Sequence, residues 1–207
     1  MLLPALNAAR DKAKATQCIN NQKQIGTAYN FYATDNDDIL PLQWYNGAGS
    51  TYRWAAWLAG KKGSTASGWL TERTNYLGNP NIVRCPNAPP FDTKPTFDAS
   101  YIYGARYFVA FDGDMNPIDQ VFLINAKKCR QPSLSWIMTD SWSTTSKQQI
   151  YLVTKNSTSC VSLIHNGFAN TLFVDGHVGS HEMRSEPFKA AGIVNYADKY
   201  KVLVAAP

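Results

Sequence analysis

Charge is scarce in this chain, histidine is scarcer, and the common nucleotide-binding and hydrolase motifs are absent. Only 17% of the 207 residues are Asp, Glu, Lys or Arg, and there are 3 histidines. No P-loop, G-x-G-x-x-G loop or G-x-S-x-G elbow occurs, so the phosphate-cradling and nucleophile-elbow signatures are excluded. No C-x-x-C pair occurs either, which argues against a zinc knuckle or a thioredoxin-like redox motif. The net charge of +5 is scattered through Arg10, Lys12, Lys14, Lys61, Lys62, Lys127, Lys128 and Arg130. A nucleic-acid footprint needs a denser basic stripe on a recognisable module, so no nucleic-acid partner is expected. No apolar run reaches the length that spans a bilayer. The opening "MLLPAL" lacks the basic n-region of a complete signal peptide.

What is present points to an α+β protein rich in loops. Apolar residues make up 44% of the chain and aromatics 13%, with 11 prolines, which suits one β-rich domain. From about Pro4 the sequence reads as a helix of roughly thirty residues, with no Gly or further Pro before Gly26. Cys18, Ile25, Tyr29 and Tyr32 fall on one face of it. The run Asp35-Asn36-Asp37-Asp38, followed by Pro41, ends it. The first half, "LNAARDKAKATQ", carries no strong apolar stripe. A short helix is expected near Trp54–Leu58. Strand signals follow in "SYIYGARYFVAF", "QVFLINA", "SLSWIMTD", "QIYLVT", "CVSLIH", "NTLFVDGHVGSH" and "KYKVLVAAP". The expected architecture is a long N-terminal helix packed on an antiparallel β-sheet with loop-rich insertions.

All three histidines lie in "HNGFANTLFVDGHVGSH", residues 165–181. Asp175-Gly176 between two apolar runs predicts a hairpin with a two-residue type I′ turn, placing Val174 opposite His177. His177 and His181 on one strand would stand about 13 Å apart, too far to share one zinc ion. His165, Asp175 and a serine could form a triad only through geometry that the sequence does not contain. No catalytic residues are expected. Asp112, Asp114, Asn116 and Asp119 in "FDGDMNPID" offer oxygen donors at alternating positions and are low-specificity calcium candidates. The EF-hand glycine and glutamate are missing, and a polar turn explains the same residues. No other cofactor is expected. Cys18, Cys85, Cys129 and Cys160 are disulfide candidates with three connectivities, and spacing does not choose among them.

His165, nine residues, then Asp175-Gly176 forms an H-x9-D-G signature. The opening segment holds "LLPAL", "C-x-x-N-x-K-Q-I-G" (Cys18, Asn21, Lys23, Gln24, Ile25, Gly26) and an ending "Y…D…D…LP". "RCP" at 84–86 and "IMTD" at 137–140 lie between. Together these resemble a pilin-like family that carries a prepilin-type cleavage/methylation segment and a C-terminal H-x9-D-G domain. The resemblance implies a pseudopilin of a type II secretion or type IV pilus system, acting by filament assembly. Residues 1–33 would be the C-terminal part of the stalk helix, and 34–207 the β-rich head of the same domain. The implied partners are other pilin or pseudopilin subunits, the secretion machinery, a prepilin peptidase acting on the precursor, and the inner membrane through a preceding apolar helix. The implied location is the cell envelope, where disulfides form. The motif residues His165, Asp175 and Gly176 would be structural or interaction residues, with His165 closing the Asn166-Gly167 turn. A second expectation is an extracytoplasmic ligand-binding module that holds carbohydrate on Trp44, Tyr45, Tyr52, Trp54, Trp57 and Trp69. Large aromatics serve equally as core.

Overall fold

The computed structural model of the chain describes residues 2–45, 51–60, 74–88, 101–107, 115–118, 121–198 and 201–205. Helix α1 (Leu2–Asp35) is continuous over 34 residues. It begins slightly before the expected start and ends within the expected acidic run. Its exit uses Asp37 and Asp38 at φ of 52° and 58°. The Asp38 N–H bonds back to the Ala33 carbonyl, and the Asn36 side-chain amide donates to the Tyr32 carbonyl. The helix's last carbonyls are thereby satisfied at its C-terminus.

Burial divides the helix in two. Residues 3–13 are all exposed, whereas Cys18, Asn21, Gln22, Ile25, Gly26, Ala28, Tyr29, Tyr32 and Ala33 are buried. That is the three- and four-residue spacing of a single packed face. Helix α2 (Trp54–Leu58) lies where the sequence places it, and α3 (Glu186–Ala190) is a further short helix near the C-terminus.

The described strands form three sheets rather than the single antiparallel sheet expected. The first joins β1 (Ile39–Tyr45), β2 (Thr51–Arg53), β4 (Met115–Ile118) and β5 (Val121–Asn125) in the order β2-β1-β5-β4. The second adds β3 (Gly104–Arg106), β6 (Trp136–Thr139), β8 (Leu152–Val153), β10 (Ala169–Phe173) and β11 (Val178–His181), ordered β11-β10-β6-β3-β8. The third holds β7 (Ser141–Ser143), β9 (Ser159–Ser162), β12 (Asn195–Ala197) and β13 (Leu203–Ala205), ordered β13-β12-β9-β7. Most pairings are antiparallel, but β3 with β8 and β9 with β12 run parallel. Pro41, expected only to stop the helix, lies inside β1 beside a register shift between Pro41 and Gln43. A bulge or edge is where a strand tolerates a residue without an N–H.

The second sheet is covered on both sides, which is why "WIMT" and "ANTLF" are buried along their whole length. On one side Leu172, Ile137 and Met138 join α1 in a core with Ile25, Tyr29 and Trp54. On the other, Trp136 and Phe173 pack with Phe188 of α3, Leu163 and Ile193. Helix α1 approaches β10 closely at Gly26. A Cβ there would sit 2.9 Å from Leu172 Cδ1 and 3.6 Å from the Gly176 carbonyl oxygen. Among the described residues, no helix is long and apolar enough to cross a membrane.

Candidate functional site

The polar centre of the molecule lies where α1, the loop after residue 83, the β6–β7 junction and the β9–β10 connection meet. Cys18 comes from the buried face of α1. Cys85 follows a 3-10 turn at Pro80–Val83, capped by the Asn79 side chain accepting from the Asn81 N–H. Asp140 is the residue at which the chain leaves β6 in the second sheet for β7 in the third. Its N–H donates to the Asn170 carbonyl, and its carbonyl accepts from the Ser162 N–H. His165 opens a tight turn, with its N–H donating to the Phe168 carbonyl and its carbonyl accepting from the Phe168 N–H.

One donor atom from each of these four residues lies within 4.8 Å of all the others. His165 Nε2 is 3.3 Å from Cys85 Sγ and 3.2 Å from Asp140 Oδ2. Cys18 Sγ is 3.4 Å from Asp140 Oδ1. The cluster is closed to solvent: Cys18 and Asp140 are 0% exposed, Cys85 4% and His165 8%. Around it, the Asn170 N–H donates to Asp140 Oδ2 at 2.8 Å, and the Gln22 amide approaches Cys18 Sγ at 3.8 Å. The Tyr103 hydroxyl has one proton and two acceptors in reach, Cys18 Sγ at 3.3 Å and the Arg84 carbonyl at 3.1 Å.

These contacts set the protonation of the cluster. Burial lowers the pKa of His165, but hydrogen bonds and attraction from Asp140 and Cys18 outweigh it and push the imidazole up to about 10. Burial raises the Cys18 thiol, and the Cys85 and His165 hydrogen bonds more than reverse that, leaving it lowered. The Cys85 thiol and the Tyr103 phenol are raised well above their ordinary values, chiefly by burial. Asp140 and Cys18 thus favour the protonated form of His165, while the two thiols are driven in opposite directions, Cys18 down and Cys85 up.

The arrangement is not a catalytic triad. A triad uses one imidazole nitrogen toward the nucleophile and the other toward the carboxylate. Here Nε2 faces both Cys85 and Asp140, while Nδ1 is buried with no hydrogen-bond partner among the described residues. All four donors converge on one point, and two thiols, an imidazole and a carboxylate are donors that thiophilic divalent ions take.

The other residues singled out in the sequence fall elsewhere. Asp175 and Gly176 lie at the tip of the β10–β11 hairpin, with Asp175 exposed. The turn is not type I′. Phe173 pairs with His177 through its N–H, Gly176 donates to the Phe173 carbonyl, and only Gly176 has positive φ, at 86°. Val174, Asp175 and Gly176 thus form a three-residue loop, one position out of the expected register. Within residues 165–181 the two-residue turn with both central residues at positive φ is Asn166-Gly167, at 55° and 92°, flanked by the His165–Phe168 bridge. His177 binds Asp175 Oδ1 through Nδ1 at 2.5 Å and stacks on Phe173, and His181 packs edge-on to the same ring. The four cysteines are free thiols. Cys160 is buried near Trp142 and Ala197, Cys129 lies at the margin of the main core, and Cys18 and Cys85 share the cluster.

Of the calcium candidates, Asp112, Asp114 and Asp119 lie outside the described residues. Asn116 is in β4 opposite Leu123. Trp54 is core, donating to the Tyr103 carbonyl, and the half-buried Trp57 donates to the Tyr32 hydroxyl. Trp69 and the side chains of Trp44, Tyr45 and Tyr52 lie outside the described residues.

Sequence reasoning missed Asp140 and the convergence of the two cysteines with His165. A signal was present: "C-x-x-N-x-K-Q-I-G", "RCP", "IMTD" and H-x9-D-G each supply one member of the cluster. A family model described as "Protein of unknown function (DUF1559)" matches residues 7–84, which include Cys18 and end one residue before Cys85. No curated protein and no solved structure matches the chain.

Proposed function

We propose that the chain is a pilin-like assembly subunit of the cell envelope, a pseudopilin of a type II secretion or type IV pilus-like system. It works by packing its N-terminal helix against those of other subunits. The observation that carries this reading is the division of α1 into a packed second half and an exposed first half, with Leu3 and Leu6 74% and 58% exposed. Residues 3–13 alone extend about 16 Å along the axis at 1.5 Å per residue. An isolated helical stretch of that length is marginal in water, and partner helices would bury its apolar side chains. The H-x9-D-G signature and the prepilin-like opening segment support the reading. Prepilin peptidase and the inner membrane would act on the segment that precedes this helix in an assembled subunit.

A photo-crosslinking residue placed at Leu3 or Leu6, in the protein expressed in its own cell, tests the proposal. Adducts with a second copy or another pilin-like subunit are expected from both positions, with none or few from the half-exposed Phe168 of the head. Monomer alone at both helix positions would contradict it.

A further inference from the structure

We propose that Cys18, Cys85, Asp140 and His165 form a structural site for a tetrahedral thiophilic divalent metal ion, with zinc the best fit. Tetrahedral zinc with bonds of about 2.0–2.3 Å sets its ligand atoms roughly 3.3–3.8 Å apart. Three of the observed edges are 3.3 Å for Cys85 Sγ to His165 Nε2, 3.2 Å for His165 Nε2 to Asp140 Oδ2, and 3.7 Å for Cys18 Sγ to the same Asp140 Oδ2. Each is within a few tenths of an ångström of that tetrahedron. One nitrogen of His165 faces both a thiol and the carboxylate, which is the geometry of ligands around a common centre.

Composition selects the ion. Two thiolates disfavour magnesium and calcium, which take oxygen ligands, whereas sulfur with imidazole and carboxylate in tetrahedral array suits zinc. On binding, the two thiol protons and the proton on His165 Nε2 leave to solvent, and the four lone pairs go to the metal. The set then carries a net charge of about −1. The Asn170 N–H toward Asp140, and the Tyr103 hydroxyl and Gln22 amide toward Cys18, lie around it as outer-shell donors. All four ligand positions come from the protein and all are buried, as in structural rather than catalytic sites. A groove of about 460 Å³, lined by Ala8, Asp11, Lys12 and Ala15 of α1 and by Asn87, reaches His165.

The site's effect on the fold follows from where its ligands come from. Residues 18, 85, 140 and 165 are distant in sequence, so one ion closes three long loops and fastens α1 to both the second and third sheets. A structural zinc contributes its binding free energy directly to folding.

The first readout is element analysis of the untagged chain, purified after growth in zinc-supplemented medium, where about one zinc ion per chain is expected. The second uses cobalt(II) as probe: the chelator-stripped chain should develop thiolate-to-cobalt charge-transfer absorption and tetrahedral ligand-field bands. Cys85→Ser should abolish the charge-transfer intensity contributed by that thiolate. Because that variant can also impair folding, Tyr103→Phe, which keeps all four ligands, provides a second arm with an expected 10–100-fold loss of zinc affinity. Absence of zinc together with a featureless cobalt spectrum would overturn the proposal. So would a natively isolated chain two hydrogens lighter, with Cys18 and Cys85 joined in one disulfide. Metal content is read on the isolated chain, so failure here leaves the assembly reading intact, and failure of crosslinking leaves the metal site intact.

Discussion

His165 acts through a single ring nitrogen, and that fact governs how the metal-free chain should respond to pH. Its pKa is pushed up to about 10 from an ordinary 6.5 because burial, which opposes the charge, is outweighed by Asp140 and Cys18. The native state therefore holds this proton more tightly than the unfolded state. The contribution to stability is complete below about pH 6.5 and disappears as pH rises toward 10. Cys18 runs the other way, since its thiol is lowered and gains stability as pH approaches its ordinary 9.0. Cys85 and Tyr103, both raised, add to the loss only above their ordinary 9.0 and 10.0. With a chelator present, the margin by which the wild-type denaturation midpoint exceeds that of His165→Asn should thus narrow between pH 6.5 and 8.5. A margin that stays constant across the same interval would mean that the fold does not hold the His165 proton beyond its ordinary range.

The separate ingredients of this centre could be read from the sequence, but their meeting could not. Cys18 was placed on the packing face of the helix by its spacing from Ile25, Tyr29 and Tyr32, and all four are buried. Asp140 carried no signal of its own, because a lone aspartate after "IMT" reads as the end of a strand. Its role depends on β6 pairing with β10 and β7 with β9, nonlocal pairings that bring residues 140 and 165 together and that residue spacing does not encode.

The two turns of "HNGFANTLFVDGHVGSH" show how element geometry is chosen by conformational cost. Asn-Gly and Asp-Gly both favour positive φ. Only Asn166-Gly167 adopts it at both positions; in the second turn Gly176 alone does. That second tip sits over α1, where the Asn30 amide would lie 3.5 Å from a Cβ on Gly176 and Gly26 makes its close approach to Leu172 and the Gly176 carbonyl. The H-x9-D-G segment therefore meets α1 twice, at Cys18 through His165 and at Gly26–Asn30 through the hairpin tip. Gly176→Ala should cost about 1–2 kcal/mol, since an L-residue in the left-handed region carries roughly that penalty. In a domain of this size each kcal/mol lowers Tm by about 2–4 °C. Gly176→Asn should cost less than Ala, because Asn tolerates that region better. Equal stability of the Ala variant in thermal melts would contradict the turn geometry.

The elements were more legible than their partnerships. Helix α1 and helix α2 were visible from composition, periodicity and stop signals, and most strand runs contain the strands observed. The division into three sheets was not visible. It depends on β6 and β7 being consecutive yet paired in different sheets, and on two parallel pairings that no turn signal marks. The short strands β2, β7 and β12, of three residues each, fall below the length at which alternation is readable.

At the scale of the whole molecule, one helix serves two environments. Its second half is bound to the head by the apolar core, the cluster around His165 and the hairpin tip. Its first half presents Leu3, Leu6 and the charged Arg10, Asp11 and Lys12 to solvent. A body fixed this firmly to a projecting helix suits a subunit whose helices pack together while its head stays folded. The most direct test is mass spectrometry of the mature amino terminus of this protein isolated from its own cell. The account predicts a peptide that begins upstream of Leu2, with an N-methylated residue at the head of an apolar stretch. An unmodified chain starting at Met1 would contradict the pilin-like reading.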